Sequence, residues 1–263
     1  MPDISVIIPT FNRKILLERA LRSVLAQKRA SFEILVADDG SSDGTAAFLR
    51  EEFPAIQVLS WRENHGPSYA RNRAVEAAAG HWITFLDSDD EWLPSKLNAQ
   101  ADFFKAHPDM RICQTEEIWI RNGVRVNPMK KHRKSGGSIF EKCLPLCVIS
   151  PSAVMLQKTL FEETGGFDEA LPACEDYDLW LRIAAEYPVG LIPKPHVVKY
   201  GGHADQRSRE FPAMDRFRIY ALKKILGSGI LTAAQTQAAE KVLAEKEAIF
   251  AAGAAKRPLG IRP

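Results

Sequence analysis

Residues 82–91 read Trp-Ile-Thr-Phe-Leu-Asp-Ser-Asp-Asp-Glu, an apolar run that ends in four carboxylates within five positions. The apolar half has the length and composition of a buried strand, so the carboxylates are expected at the strand's carboxyl end. Crowded carboxylates raise one another's pKa, so the cluster indicates a cation or a base, and Mg²⁺ suits it. The alternative is a strand-to-helix turn in which Ser88 and the aspartates cap a helix that starts near Pro94.

The same order of strand, polar loop and helix recurs upstream of this stretch. Short β-branched runs begin at Ile4, Phe32 and Ile56, and a segment with helical spacing of apolar residues follows each one. We expect strands over 4–8, 32–37, 56–60 and 82–86, and helices over 15–26, 45–52, 67–79 and 94–106. This alternation predicts an α/β fold: a Rossmann-like, mostly parallel sheet with helices on both faces.

The polar loops are expected to meet at one edge of that sheet. In an open parallel sheet, ligands bind beyond the carboxyl ends of the strands. The loops after the four strands cover 9–13, 38–44, 62–66 and 87–90. Each alone is consistent with ordinary turn chemistry, but their convergence predicts a polar crevice. No Walker loop or Gly-x-Gly-x-x-Gly fingerprint follows the first strand, which excludes an ordinary dehydrogenase or NTPase.

The composition is that of a globular chain with a small-molecule substrate. The 263 residues are 46% hydrophobic and carry a formal net charge of +2, which gives no reason to expect nucleic-acid binding. No apolar run reaches membrane-spanning length, and the first residues lack the features of a signal peptide, so a cytoplasmic protein is expected. The four cysteines are expected to be reduced and packed.

Five ordered segments resemble the motifs of family 2 glycosyltransferases. They read Val-Ile-Ile-Pro-Thr-Phe-Asn-Arg (6–13), Ala-Asp-Asp-Gly-Ser-Ser-Asp-Gly-Thr (37–45), Asn-His-Gly-Pro with Ala-Arg-Asn (64–67 and 70–72), Phe-Leu-Asp-Ser-Asp-Asp (85–90) and Glu-Asp-Tyr-Asp-Leu-Trp-Leu (175–181). The resemblance implies a GT-A fold, a nucleotide-sugar donor, a divalent metal (Mg²⁺ or Mn²⁺) and an inverting transfer of hexosyltransferase type. The implied acceptor is a hydroxyl of a sugar, a lipid-linked sugar or a small molecule, as in polysaccharide or glycolipid biosynthesis.

The resemblance also implies roles for residues on the donor side. Asp39, or alternatively Asp38, matches the aspartate that accepts a hydrogen bond from the pyrimidine N–H of the donor, so a UDP- or dTDP-sugar is expected. Asp87 takes the first position of the D-x-D motif and is expected to face the ribose, whereas Asp89 is expected to coordinate the metal on the diphosphate. The other expected nucleotide contacts are Pro9, Thr10, Asn12, Arg71 and Ser88. For Arg71, the alternative is an arginine on the helix surface.

On the acceptor side, Asp176 matches the general base that takes the proton of the acceptor hydroxyl as its oxygen attacks C1 of the sugar. Glu175 is the expected supporting neighbour. A helix-opening acidic pair favoured by the helix dipole explains either residue alone. His203 lies in a glycine turn after an expected last strand that starts at Val197, and it is assigned as a further metal ligand with no ligand role as the alternative.

The expected organisation is a GT-A domain over 1–205 and a C-terminal helical extension over 206–263. Within the domain, 1–106 would bind the nucleotide and 107–205 the acceptor. The basic stretch 127–138 is expected to be a mobile loop, either a solvated linker or a lid. Helices over 214–226 and 233–250 are expected to pack on their own domain, with peripheral contact to the inner face of an anionic membrane as the alternative.

Three other functions compete with sugar transfer. A sugar nucleotidyltransferase would share the sheet but needs a glycine- and arginine-rich loop after the first strand, which is absent. A non-catalytic nucleotide-sugar-binding protein would not need both Asp89 and Asp176. A metal-dependent nucleotide-sugar hydrolase would use water in place of the acceptor hydroxyl, and the residues do not exclude it.

Overall fold

The computed structural model describes residues 3–28, 31–127, 129, 132–202, 211 and 213–255. Nine strands lie within these ranges: β1 (Ile4–Thr10), β2 (Phe32–Asp38), β3 (Gln57–Ser60), β4 (Trp82–Phe85), β5 (Glu91–Trp92), β6 (Ile112–Arg121), β7 (Val124–Val126), β8 (Val154–Gln157) and β9 (Gly190–Gly201). The helices there are α1 (Lys14–Leu25), α2 (Thr45–Glu52), α3 (Pro67–Ala77), α4 (Lys96–Ala106), α5 (Phe140–Cys143), α6 (Lys158–Glu163), α7 (Glu175–Glu186), α8 (Asp215–Leu226) and α9 (Ala233–Ala255). A 3-10 turn covers Pro151–Ala153.

The strands form one mixed sheet in the order β3-β2-β1-β4-β8-β6-β9-β5, with β7 paired to β6. The first four strands in this order are parallel, as predicted. Strand β8 runs antiparallel to both β4 and β6, whereas β6 and β9 are parallel and β5 is an antiparallel edge. The predicted mostly parallel α/β sheet is confirmed, and the antiparallel pairs of the second half are additions that the sequence pattern does not predict.

Apolar residues of β1 divide between the two faces of the sheet. Val6 and Ile8 point to the face covered by α1 and α4, and Ile7 points to the face covered by α3 and α7. All three are fully buried, because a central parallel strand is covered on both sides. The strand therefore holds the loop that follows it in a fixed position, and that loop enters the crevice.

The C-terminal helices contribute to the core on the α7 side. Leu222 and Ile225 of α8 are buried in the cluster that contains Leu179 and Ile183 of α7, and Ala239 of α9 joins them. Over the ranges that the structure describes, no helix has both the length and the apolar character needed to cross a membrane.

Lys134 is an exception within 127–138, the stretch that was expected to be a solvated loop or a lid. This lysine is only 7% exposed, and its ammonium donates to Gln114 Oε1 at 3.0 Å and lies 3.3 Å from Glu117 Oε1. The ion pair anchors the end of the stretch to β6. Residues 128, 130 and 131 lie outside the described residues, so the proposed lid role is not addressed.

Candidate active site

The loops after β1, β2, β3 and β4 converge on one cavity of about 1180 Å³, together with the segment that leads into α7. The predicted crevice at the carboxyl ends of the strands is therefore present. Ten of the predicted site residues line it: Pro9, Thr10, Asn12, Asp39, Arg71, Asp87, Ser88, Asp89, Glu175 and Asp176. Asp38 is not among the lining residues. His203 lies outside the described residues, so its ligand role remains a prediction.

Asn12 joins the first two loops of the cavity. Its backbone is left-handed, with φ of 51°, a conformation that asparagine tolerates better than most residues. Its side-chain Oδ1 accepts the Ser42 N–H at 2.8 Å, and its own N–H donates to Ser41 Oγ at 2.8 Å. Asn12 therefore fixes the shape of the cavity wall, and its amide oxygen is already used within the protein.

Asp39 is held by the loop that precedes α3. Its Oδ2 accepts the Gly66 N–H at 2.7 Å and its Oδ1 accepts the His65 N–H at 3.0 Å. Gly66 has φ of 95°, which favours glycine at the position that presents this N–H. Asp38 points elsewhere and accepts the Ser41 N–H at 3.2 Å, and burial raises its pKa. Of the two aspartates, the structure brings Asp39 to the cavity.

Arg71 is buried and bridges two acidic segments, so the alternative of a surface arginine is wrong. Its guanidinium donates to Asp87 Oδ1 at 2.6 Å and to Glu175 Oε1 at 2.8 Å, and lies 5.2 Å from the centre of the Phe167 ring. Burial by itself raises the pKa of Asp87, but the charges of Arg71 and Lys199 hold that pKa below its usual value. At Glu175, burial prevails and the pKa is raised despite Arg71.

The remaining aspartates of the 87–90 segment also contact basic or hydroxyl groups. Asp89 Oδ2 lies 3.2 Å from Arg13 Nη1. Asp90 is buried, and its Oδ2 accepts the Ser152 hydroxyl at 2.6 Å and lies 3.8 Å from Lys199 Nζ. Burial raises the pKa of Asp90 to about 8, with Lys199 opposing the rise. The cluster is thus a set of carboxylates balanced by three cations, once Arg71 is included.

Whether this cluster can hold a metal ion depends on how many ligands the protein supplies and how many the substrate and water supply. Across the described part of the chain, no group of three His, Cys, Asp or Glu side chains is arranged to hold an ion by itself. Mg²⁺ commonly takes only one or two protein carboxylates and completes its shell with water and substrate phosphates. Asp89, at the cavity wall, supplies one such carboxylate. The carboxylate of Asp89 therefore fits an ion that is shared with a bound diphosphate.

Asp176 lies in the first turn of α7. The acidic residues of this turn, Glu175, Asp176 and Asp178, favour a helix start because they face the positive end of the helix dipole. Asp176 Oδ1 accepts the Tyr177 N–H at 2.7 Å, and its Oδ2 accepts the Cys147 thiol at 3.3 Å. The dipole explains the helix start, but it does not explain why Asp176 faces the cavity.

Two hydroxyls in the cavity wall are buried without a hydrogen-bond partner in the described structure: Thr10 Oγ1 and Ser68 Oγ. Buried hydroxyls of this kind are uncommon, and they are available to a ligand in the cavity. Ser68 was missed by the sequence reasoning, as were Arg13 and Lys199 as members of the site. Their positions could have indicated them, since Arg13 ends the first motif, Ser68 follows Pro67 of the third motif, and Lys199 lies in the expected last strand.

Comparison with protein families identifies the chain. A model described as "Glycosyl transferase family 2" matches residues 5–165, and one described as "Glycosyltransferase like family 2" matches residues 139–222. The chain belongs to glycosyltransferase family 2. The predicted family is confirmed, and with it the class of enzyme at the level of the family.

Curated relatives of this family 2 chain cover most of its length. The Escherichia coli protein "UDP-Glc:alpha-D-GlcNAc-diphosphoundecaprenol beta-1,3-glucosyltransferase WfgD" is 33% identical over 190 residues, 72% of each chain. "Uncharacterized glycosyltransferase YwdF" of Bacillus subtilis is 29% identical over 234 residues, 87% of this chain and 85% of the relative. An uncharacterized glycosyltransferase of Rickettsia conorii is 33% identical over 200 residues, 73% of this chain but 32% of the relative. The chain thus spans about a third of that rickettsial relative.

Solved structures show the same fold. S. aureus TarS 1-349 in complex with UDP-GlcNAc matches with a TM-score of 0.75 and 21% identity, over 93% of this chain and 71% of TarS. The mannosyltransferase PcManGT from Pyrobaculum calidifontis, in complex with GDP-Man and Mn²⁺, matches with a TM-score of 0.68 and 20% identity. The match covers 98% of this chain and 76% of PcManGT. At this level of identity the likeness concerns the fold, and it confirms the predicted GT-A-like fold of the family 2 chain.

Proposed function

We propose that this chain is an inverting glycosyltransferase that moves a sugar from a nucleoside-diphosphate donor to a hydroxyl acceptor, with Asp176 as the general base. One observation carries the proposal. Arg71 donates to Asp87 of the D-x-D segment and to Glu175, the neighbour of Asp176. The donor-side carboxylates and the proposed base therefore border one cavity, which is the arrangement that direct displacement requires.

The donor half of the cavity suits a pyrimidine nucleotide. Asp39 accepts backbone N–H groups from one side, and each carboxylate oxygen has more than one acceptor site, so capacity for a pyrimidine N–H remains. Uracil and thymine carry that N–H, which supports a UDP- or dTDP-sugar. The unpartnered hydroxyls of Thr10 and Ser68 are further donors or acceptors for the nucleotide. Each Nη of Arg71 donates one N–H to a carboxylate and keeps a second, so Arg71 joins the two acidic segments and stays a proposed contact of the nucleotide or its phosphates.

Asp89 is the proposed protein ligand of a divalent ion shared with the diphosphate, and Mg²⁺ or Mn²⁺ is the proposed cofactor. Such an ion, when bound, stabilises the negative charge that grows on the leaving diphosphate. Arg13, which contacts Asp89, adds positive charge at the same place. His203 stays a proposed additional ligand.

Asp176 supplies the proton acceptor. As the acceptor oxygen forms its bond to C1 of the sugar, the bond from C1 to the donor phosphate breaks and its electron pair leaves with the nucleoside diphosphate. The hydroxyl proton passes to the Asp176 carboxylate. Attack and departure occur on opposite sides of C1, so the configuration inverts and no covalent enzyme intermediate is needed. Glu175 accepts a hydrogen bond from Arg71 and supports the helical turn that carries the base.

The proposed acceptor is a lipid-linked sugar, with other sugars and small hydroxyl compounds as alternatives. The printed name of WfgD describes an acceptor of this lipid-linked class for that protein. We assign the acceptor to the part of the cavity that is lined by Ala170, Leu171, Pro172, Ala173 and Met214. A lipid-linked acceptor would bring the protein to the inner face of a membrane, which agrees with the expected cytoplasmic location and with the alternative of peripheral contact.

The decisive experiment is a panel of nucleotide-sugars assayed for nucleoside diphosphate release, with and without candidate acceptors. We expect release from a UDP- or dTDP-sugar that depends on an acceptor, with transfer product of inverted configuration. Release of free sugar without any acceptor would identify a hydrolase. Tight donor binding with no release under any condition would identify a non-catalytic binding protein.

A further inference from the structure

Cys147 lies against the proposed base, in the segment between α5 and the 3-10 turn. Its Sγ is 3.3 Å from Asp176 Oδ2 and 3.1 Å from the carbonyl oxygen of Ile149. A thiol has one hydrogen, so it donates to only one of these two acceptors at a time. Both acceptors are within reach of a rotation about the Cβ–Sγ bond.

The thiol keeps its proton at neutral pH. Burial raises the pKa of Cys147 well above its usual value, and the charge of Asp176 raises it further. Cys147 is therefore a hydrogen-bond donor in this structure and not a thiolate. A thiolate next to an ionised Asp176 would place two negative charges in contact, which a buried site disfavours.

The other oxygen of the carboxylate is held differently. Asp176 Oδ1 accepts the backbone N–H of Tyr177 at 2.7 Å, and this donor is fixed by the helix. The partner of Oδ2 is a side-chain group that rotates. The two oxygens of the base thus differ, since one has a fixed partner and the other a partner that can leave.

We propose that Cys147 is a positioning residue for Asp176, whose thiol turns between Asp176 Oδ2 and the Ile149 carbonyl as the base gains and loses its proton. While Asp176 is ionised, the S–H donates to Oδ2 and orients the carboxylate. When Oδ2 takes the acceptor's proton, the S–H donates to Ile149 instead, and no bond to sulfur forms or breaks. The inference deepens the proposed function and rests on it, because it assumes that Asp176 is the base.

The two other thiols near this pair stay in one charge state. Burial raises the pKa of Cys143 and of Cys174 to about 12, so both thiols are neutral when Asp176 is ionised. Glu175 precedes Asp176 and accepts a hydrogen bond from Arg71. Cys147 is therefore the group whose hydrogen bond to Asp176 responds directly to protonation of the base.

The test compares Cys147→Ala, Cys147→Val and Cys147→Ser in the full chain, using the donor and acceptor found in the panel. Alanine and valine both remove the donor, alanine with a smaller side chain than cysteine and valine with a larger one, and serine keeps it. For alanine and valine we expect kcat to fall about 5- to 10-fold with donor KM unchanged, the scale of one ordinary hydrogen bond, because a thiol is a weak donor. The acidic limb of the kcat/KM profile should move to higher pH, because the ionised base has lost a donor. Serine should restore both.

Cys143→Ala is the matched control, a buried cysteine that packs nearby without a bond to Asp176. It should leave the acidic limb in place. Equal losses in Cys147→Ser and Cys147→Ala, or an acidic limb that stays in place in both alanine and valine variants, would overturn the assignment. Asp176→Asn distinguishes a failure of the proposed base from a failure of the role proposed for the thiol. Near-normal transfer by that variant refutes the base itself, whereas its inactivity beside a fully normal Cys147→Ala refutes only the role of the thiol.

Discussion

Replacing Arg71 with methionine removes the cation shared by the two acidic segments of the site. The Arg71 side chain is 6% exposed and Glu175 is 9% exposed, so Glu175 would be left buried without its counter-charge. Removing one partner of a buried pair costs about 3–5 kcal/mol of stability. Burial already raises the pKa of Glu175, so proton uptake there relieves part of the loss. Asp87 is 26% exposed, so water can solvate its carboxylate once Arg71 is removed. We therefore expect the free energy of unfolding to fall by about 3 kcal/mol, the lower end of that range.

Urea unfolding of Arg71→Met and Arg73→Met measures this loss against a matched control. Arg73 lies on the same helix but is 37% exposed and pairs with Glu169 and Glu76, so its loss should cost about 0–1 kcal/mol. The native protein should tolerate either change, since domains are stable by about 5–15 kcal/mol. Equal losses in the two variants would refute the claim that Arg71 is a buried bridge.

The dependence of this loss on pH gives a second check. The ion pair holds the pKa of Asp87 below its usual value. Its contribution is therefore fully present above the ordinary carboxyl pKa of roughly 4, and it is lost as the pH falls through the lowered value. The difference in unfolding free energy between wild type and Arg71→Met should shrink as the medium becomes acidic. A difference that grows toward low pH would contradict the assigned charges.

Three further predictions concern the reaction. Asp176→Asn should lower the transfer rate roughly 10²–10⁴-fold while the melting temperature and the affinity for nucleoside diphosphate stay near wild type, and a near-normal rate would remove Asp176 from catalysis. Asp89→Ala should weaken UDP binding more with Mg²⁺ or Mn²⁺ present than in EDTA, as measured by calorimetry, and EDTA should abolish transfer by the wild type. Equal weakening in both buffers would contradict the shared ion. Asp39→Ala should cost about 1–3 kcal/mol of UDP or dTDP binding, and tighter binding of CDP or GDP would overturn the pyrimidine assignment.

The first half of the fold follows from local patterns, and the second half does not. Strands β1 to β4 and helices α1 to α4 appear in the sequence as alternating apolar runs and helical spacing, and the observed bounds differ from the expected ones by only a few residues. Strands β6, β8 and β9 form by pairings between distant segments, which no local pattern encodes. The bounds of the last strand show this, since it starts at Gly190 and not near Val197.

The site divides in the same way between residue identity and residue partners. Motifs identify Asp39, Asp89 and Asp176 as candidates, and all three line the cavity. Their partners depend on contacts that cross the fold: Asp39 accepts an N–H from a residue 26 positions away, and Arg71 reaches a carboxylate 104 positions away. Such distances are closed only by the tertiary structure, so the sequence did not reveal the bridge.

The order of the strands limits how a chain of this kind can be reshuffled in evolution or engineering. Strands β4 and β5 follow one another in the chain, yet β8, β6 and β9 lie between them in the sheet. Residues of β5 pair with β9, Glu91 with Val198 and Trp92 with Val197. The first half of the chain therefore supplies the edge strand beside β9 of the second half. Removing residues 107–205 would take away the partner of β5 and expose the edge of β4. A replacement block must therefore restore the pairings with both β4 and β5, whereas substitutions in the loops around the cavity leave both pairings in place.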